Sequence, residues 1–305
     1  MQATIRKMVT FDGVGLHSGQ GASVSILPQA INVGIWFRRT DLDDAQMIPA
    51  RYNLVPESRL CTRLVAEDGT EVSTIEHIMA ALVGCGIHNA LVEVNGPELP
   101  ILDGSAAPFV RGILDAGIQR QTAPIHAFEV LKPVRVEDGD AWAELEPAPG
   151  LEMDYTISFV DEAIGYQRRI EKLANGKFVR ELCDSRTFCR RADVDMMQEA
   201  GLALGGTYEN AVVVDGDEVL SPGGFRHADE AVRHKMLDAL GDLALAGAPI
   251  LGRYIGVRSG HMLTNKLLRA LFATPGAVRL VECSPEQAAR LPGVGVKTGD
   301  LAEVA

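Results

Sequence analysis

The stretch from Asp229 to Ala246 restricts the fold most, because its pattern predicts one long helix with two different faces. At about 100° per residue, one face carries an apolar stripe made of Val232, Met236, Leu240 and Leu243. A second stripe lies roughly 200° around the helix from the first and comprises His234, Asp238 and Asp242. A helix of this kind buries its apolar stripe against a sheet or another helix. The role of the second, polar stripe has to be explained separately.

Two interpretations of the second stripe are open. A solvated face with local His–Asp pairs is the commoner explanation of an isolated His-x-x-x-Asp on a helix. The alternative is a pair of metal ligands, because residues four apart lie on the same helix face, where an imidazole and a carboxylate can converge on one ion.

The segment from Ser73 to His77 reads Ser-Thr-Ile-Glu-His and lies near the start of a helix predicted from Val72 to Val83. Ser73 and Glu76 fit a capping box, in which Glu76 serves only the start of the helix. Taken alone, the segment favours the capping box. The functional alternative is that His77 binds a metal and Glu76 activates the metal's water.

A short internal similarity links these two helices. His77-x-Met79 ends at Gly84, and His234-x-Met236 ends at Gly241, with His, Met and Gly at the same relative positions. The similarity suggests a duplicated unit of sheet plus helices, with one histidine contributed by each copy.

The other predicted elements follow from alternation and from glycine and proline punctuation. Strands are predicted at Ala22 to Leu27, Ile31 to Arg38, Asn89 to Asn95, Phe128 to Val136, Trp142 to Glu146, Leu151 to Phe159 and Arg253 to Val257. Further helices are predicted at Ala107 to Ala116 and Thr264 to Leu271. His261 follows a glycine ahead of the last helix, so we expect it on a tight turn. The segment Arg120 to Ala127 has no strong period, and it predicts a boundary between domains 1–125 and 126–305.

Composition excludes several classes of protein. The chain has 305 residues and a net charge of −12, which makes it a poor generic binder of nucleic acid. No apolar run approaches the roughly 20 residues that span a bilayer, and the start of the chain lacks the features of a signal peptide. We therefore expect a cytoplasmic protein. The five cysteines form no Cys-x-x-Cys pair, which argues against a zinc ribbon.

Several motifs occur in an order that resembles the UDP-3-O-acyl-N-acetylglucosamine deacetylase family, the zinc amidases of lipid A biosynthesis in Gram-negative bacteria. The motifs are Gly13 to Gly19 (GVGLHSG), Ser73 to His77 (STIEH), Pro100 to Ser105 (PILDGS), Ser185 to Phe188 (SRTF), Leu204 to Gly206 (LGG), His234 to Asp242 (HKMLDALGD), and Gly260-His261. The ordered set is far more specific than any one motif, and it favours the functional interpretations above.

The resemblance implies an α+β fold of two similar layered domains, each a small, mostly antiparallel sheet packed on helices, with helices facing across the active site. It also implies one catalytic Zn²⁺ per chain, with His77, His234 and Asp238 as ligands. Three protein ligands leave a coordination position open for water, as catalytic zinc requires.

The resemblance assigns catalytic roles to four further residues. Glu76 would be the general base for the water that attacks the acetamide carbonyl. The Thr187 hydroxyl would help to stabilise the resulting oxyanion. His261 would carry positive charge and stabilise the tetrahedral intermediate, and Asp242 would orient that imidazole and favour its charged form. Which of Glu76 and His261 protonates the leaving amine stays open.

The substrate implied by the resemblance is a UDP-linked amino sugar with a 3-O-hydroxyacyl chain and an N-acetyl group, and the products are acetate and the free amine. This reaction is the committed step of lipid A biosynthesis. Lys235 would face the UDP phosphates and Phe188 would pack on a sugar ring. Further substrate contacts would come from Leu60, Cys61 and Thr62.

An insert at about 190–214 would form an apolar passage for the acyl chain, with walls from Val194, Met197, Leu202, Leu204 and Val213. The sequence departs from the family pattern at Arg190 and Arg191, where apolar residues are expected. We expect a monomer with no nucleic-acid partner and no integral membrane segment.

Two rival functions remain. A zinc amidohydrolase of the same fold acting on another N-acetyl sugar differs from the first hypothesis in its need for the acyl chain. An inactive binding module for a UDP-lipid is disfavoured, because every expected ligand and catalytic residue is present.

Overall fold

The computed structural model describes residues 1–44, 46–57 and 60–301. In the first half, the strands are β1 (Ala3–Ile5), β2 (Val9–Val14), β3 (Gly21–Pro28), β4 (Ile35–Arg39), β5 (Ile48–Pro49), β6 (Arg63–Val65), β7 (Glu71–Ser73), β8 (Ala90–Val94) and β9 (Ile118–Arg120). The helices are α1 (Glu76–Gly84) and α2 (Ala107–Ala116), with a 3-10 turn at Tyr52–Leu54.

The second half is longer. Its strands are β10 (His126–Val130), β11 (Val134–Asp138), β12 (Ala141–Glu146), β13 (Leu151–Ser158), β14 (Tyr166–Lys172), β15 (Phe188–Arg190), β16 (Val212–Asp215), β17 (Glu218–Val219), β18 (Ile250–Val257) and β19 (Val278–Glu282). Its helices are α3 (Lys177–Glu181), α4 (Arg191–Glu199), α5 (Glu230–Leu243), α6 (His261–Ala273) and α7 (Pro285–Ala288), with 3-10 turns at Ala244–Ala246 and Thr298–Asp300.

The main sheets of the two halves share one strand order. The first sheet runs β2-β3-β8-β4-β5, with β8 parallel to β4 and the other pairs antiparallel. In the second sheet, β11-β12-β18-β13-β14 has the same directions, with β18 parallel to β13. In addition, β10 joins the start of β18 and pairs with β19. The α+β class is confirmed. We propose that the two sheets, each with its own helices, are domains 1–125 and 126–305.

The hydrophobic core is continuous between the halves, because α1 packs against α5. Ile78, Met79 and Leu82 of α1 are fully buried, and apolar residues occupy all sides of this helix, as expected for a helix that is covered all round. On the other half, α5 and α6 pack against strands of the second sheet.

Several predicted elements differ from those observed only in their bounds, and three predictions differ further. The helix predicted from Val72 begins only at Glu76, because Glu71–Ser73 pairs with Arg63–Val65 as β7 with β6. The strand predicted from Phe128 to Val136 is two strands, β10 and β11, interrupted before Pro133, whose nitrogen cannot donate to a ladder. His261 is the first residue of α6 rather than part of a preceding turn.

Among the helices in the described part of the chain, none combines the length and the apolar character needed to cross a bilayer.

Candidate metal and catalytic site

The site lies where α1 and α5 cross. A Cβ atom at Gly241 of α5 would be 2.1 Å from the carbonyl oxygen of Glu76, so only glycine permits this approach. The close crossing brings the rings of His77 and His234 into an edge-to-face arrangement, with their centroids 5.1 Å apart. One histidine from each half therefore reaches the same point.

Three buried side chains converge at this crossing and could hold a metal ion. Nε2 of His234 lies 3.3 Å from Oδ1 of Asp238, and Nε2 of His77 lies 3.5 Å from the same oxygen. Ligand atoms at about 2.0–2.2 Å from a tetrahedral zinc ion lie about 3.3–3.6 Å from one another. Oδ1 of Asp238 is buried and accepts no hydrogen bond from the described residues. The donor set and its spacing therefore fit a metal such as zinc.

Neighbouring groups prepare these side chains for metal binding. Nδ1 of His234 lies 2.9 Å from the carbonyl oxygen of Ser185, which leaves Nε2 free to bind the metal. Burial lowers the pKa of His234 to about 4, so the ring is neutral at neutral pH. For Asp238, burial opposes ionisation, but His234 and Lys235 outweigh it and hold the pKa of this carboxyl well below its usual range.

Lys235 donates a hydrogen bond from Nζ to Oδ2 of Asp238 over 2.7 Å. The two oxygens of Asp238 thus have separate partners, since Oδ2 binds Lys235 while Oδ1 faces the two imidazoles. The family resemblance implies that Lys235 faces substrate phosphates, whereas here its ammonium group is engaged by a predicted metal ligand.

Glu76 begins α1 and is 4% exposed. Its Oε2 accepts a hydrogen bond from the amide of Thr62, and Oε1 lies 3.8 Å from Nε2 of His261. Burial raises the pKa of the Glu76 carboxyl, although His261 and His77 oppose the shift. The capping-box interpretation is wrong, because the Ser73 hydroxyl donates to the carbonyl of Pro97 and Ser73 lies in β7.

His261 and Asp242 form a buried pair on α6 and α5. Nδ1 of His261 lies 2.9 Å from Oδ2 of Asp242. Burial lowers the pKa of this imidazole, but the charges of Asp242 and Glu76 outweigh burial and raise it to about 9. The ring is therefore a cation at neutral pH.

A family model described as UDP-3-O-acyl N-acetylglycosamine deacetylase matches residues 2–273 of the chain. The chain belongs to this family. A UDP-3-O-acyl-N-acetylglucosamine deacetylase of Shewanella violacea is 47% identical over 290 residues, which cover 94% of this chain and 95% of the relative. The protein of the same name from Shewanella frigidimarina is 46% identical over 305 residues, which cover 99% of each. The family resemblance inferred from the ordered motifs is confirmed.

In this member of the deacetylase family, Thr62 connects two carboxylates of the site, those of Glu76 and Asp242. Its amide binds Glu76, and its hydroxyl donates to Oδ1 of Asp242 over 2.5 Å. Both donors are therefore used within the protein, and Thr62 is buried. Leu60 and Cys61 were predicted, with Thr62, to contact the substrate. Cys61 is also buried, and burial raises the pKa of its thiol to about 12. Leu60 is exposed.

Thr187 directly precedes β15, and Phe188 is the first residue of that strand and lies near the predicted ligand His234. The Phe188 ring lies edge-on to His234, with centroids 6.3 Å apart, and edge-on to Phe159 at 5.4 Å. The amide of Thr187 donates to the carbonyl of Gly104, where a Cβ atom would collide with the carbonyl of Asn210. Both residues are partly exposed.

The predicted insert comprises α4 and the segment that leads to β16. Val194, Met197 and Leu202 are half-buried, Leu204 is 55% exposed, and Val213 is buried. The amide of Leu204 donates to the carbonyl of His17, which joins the insert to the Gly13–Gly19 loop. Arg190 pairs with Asp161 and Arg191 donates to the Tyr208 hydroxyl, so each of the two unexpected arginines has a partner.

Glu98 is a buried residue of this region that sequence reasoning missed. Oε1 accepts hydrogen bonds from the amide of His17 and the hydroxyl of Thr74, and Oε2 accepts one from the amide of Ser18. Thr74 has a positive φ of 58° immediately before the Glu76 segment. A Cβ at Gly15 would lie 2.3 Å from Oε2 of Glu98. The repeated glycines of the Gly13–Gly19 motif were the available signal that a buried group approaches this backbone.

Proposed function

We propose that this chain is a zinc-dependent amide hydrolase that removes the N-acetyl group of UDP-3-O-(3-hydroxyacyl)-N-acetylglucosamine. Acetate and the free amine would be released, and the reaction would be the committed step of lipid A biosynthesis. We further propose that the protein acts as a monomer in the cytoplasm. The observation that carries the proposal is the convergence of His77, His234 and Asp238 beside Glu76, in a chain of this deacetylase family.

His77, His234 and Asp238 would hold a single Zn²⁺ ion. When bound, such an ion acts as a Lewis acid and lowers the pKa of water to about 7. The neutral imidazole of His234, oriented by the carbonyl of Ser185, supports this assignment. Lys235 would keep Asp238 ionised and would orient its Oδ1 toward the two imidazoles, because the ammonium group binds the other carboxylate oxygen.

Glu76 would take the proton from the attacking water. Its carboxylate is held by the amide of Thr62, so Oε1 is the oxygen left for substrate chemistry. The raised pKa that burial gives Glu76 makes it a stronger base once it is ionised, and the charge of His261 keeps the ionised form accessible.

His261 would stabilise the negative charge that develops on the acetamide oxygen. Asp242 holds the ring through Nδ1, so Nε2 is the atom that turns toward Glu76 and the substrate. The Thr187 hydroxyl would contribute a second donor to the same oxygen. Proton delivery to the leaving nitrogen falls to Glu76 or His261, the two groups whose atoms lie 3.8 Å apart.

The substrate would lie across the partly exposed face formed by Thr187 and Phe188, with its acyl chain along the insert. Phe188 would pack on a sugar ring. Val194, Met197, Leu202, Leu204 and Val213 would contact the acyl chain, and Leu60 and Cys61 would complete the substrate contacts. Lys235 would reach a UDP phosphate only by sharing its ammonium group with Asp238.

A test of the insert compares acyl chains of different length in Met197→Trp. Each buried methylene contributes about 0.8 kcal/mol, so removing contact with two methylenes lowers kcat/KM by about tenfold. The variant should penalise long chains more than short ones. An equal loss at every chain length would show that the acyl chain lies elsewhere.

The proposed function is tested by acetate release from three substrates: the complete UDP-3-O-acyl-N-acetylglucosamine, UDP-N-acetylglucosamine, and N-acetylglucosamine. We expect turnover of the first alone, together with about one zinc per chain and loss of activity on chelation that added zinc reverses. Equal turnover of all three would favour a general N-acetyl-sugar hydrolase. Activity in metal-free protein after prolonged chelation would refute the metal assignment.

A further inference from the structure

A cavity of about 310 Å³ is lined by both halves of the molecule, and we call it the seam cavity. Its lining residues on α5, Leu240 and Leu243, lie on the side of the helix away from the stripe that carries His234 and Asp242. The first half lines it with Trp36 and Val83, and the second half lines it with Phe128 and Leu243. Among the described residues that line the cavity, none belongs to the metal and catalytic site.

The walls of the seam cavity suit a small amphiphilic molecule. Its volume falls at the lower end of the range of about 300–1,000 Å³ for small-molecule sites, which are largely apolar with a few polar groups. Trp36 and Phe128 supply aromatic surface, and Leu240 and Leu243 supply aliphatic surface from α5. The ordinary partners of such walls are the alkyl or aromatic part of a ligand.

The charged residues that line the seam cavity favour a negatively charged ligand. The chain has 41 acidic residues, yet no Asp or Glu is found among the described residues that line this cavity. Arg51 is the lining residue with a permanent positive charge, and the described residues offer it no ion pair. Its Nη1 donates to the carbonyl of Ala246 over 3.1 Å, which leaves further N–H donors of the guanidinium available.

We propose that the seam cavity binds an amphiphilic carboxylate, whose apolar part packs between Trp36 and Leu243 and whose carboxylate pairs with Arg51. A planar carboxylate matches the donor geometry of a guanidinium group, and the apolar walls accept the rest of the molecule. Because both halves line the cavity, an occupant would contact both and stabilise their association. This proposal does not depend on the catalytic assignments.

Trp36 provides a direct reporter of binding. The chain has two tryptophans, and the other, Trp142 on β12, packs beneath the guanidinium of Arg135. In full-length Trp142→Phe, all tryptophan emission comes from Trp36. We would titrate this protein with octanoate, 1-octanol and octylammonium, three probes with the same alkyl chain and different charge.

We expect octanoate to change the emission of Trp36 in a saturable way and to raise the melting temperature. Octylammonium should bind at least about tenfold more weakly, because charge-assisted hydrogen bonds to a carboxylate contribute that much or more. Arg51→Gln should weaken the binding of octanoate by a similar factor and leave the binding of 1-octanol unchanged. Arg63→Gln, which removes an arginine from an exposed ion pair, is the matched control and should change nothing.

A second variant keeps the test decisive even if Arg51→Gln perturbs folding. Ala244→Phe adds bulk to a partly exposed wall residue and leaves Arg51 in place. It should abolish the response of Trp36 to both octanoate and 1-octanol. The proposal is overturned by any of three results: no saturable response to octanoate, a response that survives in Ala244→Phe, or equal affinity for octylammonium.

Discussion

The two central helices occupy equivalent places in the two halves, but their polar residues differ. Both carry a histidine, His77 on α1 and His234 on α5. At four and eight residues beyond the histidine, the first half has Ala81 and Cys85, whereas the second half has Asp238 and Asp242. All four positions are buried, so burial alone does not separate the two helices.

The two helices differ in the residues that surround these four positions. Ala81 and Cys85 belong to the apolar core cluster. Asp238 instead binds Lys235, and Asp242 pairs with the imidazole of His261. These partners make a buried carboxylate tolerable. The residue before each histidine also differs. Glu76 points into the site, while Arg233 pairs with Asp229 and Glu181 outside it. Two similar scaffolds therefore support an asymmetric site.

The variants with the greatest predicted loss test whether the metal is shared between the halves. His77→Ala and His234→Ala should each reduce bound metal from about one ion per chain to nearly none, because two remaining ligands hold zinc poorly. Elemental analysis of the purified proteins measures this directly. His126→Ala, which removes a histidine outside the site, should keep its metal. Full metal content in His77→Ala would mean that the second half binds the ion by itself, and full metal content in His234→Ala would remove His234 from the ligand set.

The next effect tests the residue that precedes each histidine. Glu76→Gln should lower kcat by about 10²–10⁴-fold, the usual contribution of a general base, and leave metal content unchanged. Arg233→Gln changes the equivalent position of the other half and should leave kcat within a few-fold of the parent protein. Steady-state kinetics on matched protein samples compare the two. Near-normal kcat in Glu76→Gln would remove this residue from the proton-transfer step.

A third effect concerns the crossing of the two helices. Gly241→Ala places a methyl group against the carbonyl of Glu76, and overpacking of this kind costs about 1–3 kcal/mol of unfolding free energy. Gly96→Ala is the control, because no atom lies within 4 Å of a Cβ at Gly96. Thermal and urea unfolding compare the variants. Equal stability of the two proteins would contradict the close contact of α1 with α5.

The mildest change at neutral pH comes from Asp242→Asn. Asp242 and Glu76 together outweigh burial and raise the pKa of His261 to about 9, and an amide in place of the Asp242 carboxylate removes one of these charges, so the imidazolium should lose its proton at lower pH. The alkaline limb of kcat/KM against pH should then move to lower pH, with activity retained below it. The fold should tolerate the change, because the Thr62 hydroxyl can rotate to accept from the new amide.

Metal analysis and a second variant complete this test. Asp242→Asn should keep its metal, unlike Asp238→Ala, because Asp242 is not proposed as a ligand. Loss of zinc from Asp242→Asn, or near-normal kcat in His261→Ala, would contradict the assigned roles. An unmoved alkaline limb would assign that limb to a group other than His261.

Much of the fold could be predicted wherever one segment carries its own pattern. The helix Ala107–Ala116 has the predicted bounds, and the long helix of the second half differs from its prediction only at its ends. The predicted start of α1 is wrong, because Glu71–Ser73 adopts a strand only through its pairing with Arg63–Val65. Strand pairing depends on a partner elsewhere in the chain, which local periodicity does not report.

Some residues of the candidate site could likewise be predicted from local spacing, and others could not. The spacing of His234, Asp238 and Asp242 is enough to place them on one helix face. The partners that support them could not be found from spacing. Ser185 contacts His234 through a backbone carbonyl, and backbone groups carry no residue signature. Glu98 reaches the amides of the Gly13–Gly19 loop across about eighty residues of chain.

Residue types and their order along the chain were sufficient to identify the family, the α+β class and the predicted ligands. The packing of distant segments was needed to show that Thr62 joins Glu76 to Asp242, and that Lys235 is engaged by Asp238. It was also needed to show that Arg51 faces a cavity lined by both halves. Burial and hydrogen bonding depend on which distant segments pack together, whereas a sequence pattern reports only the element that carries it.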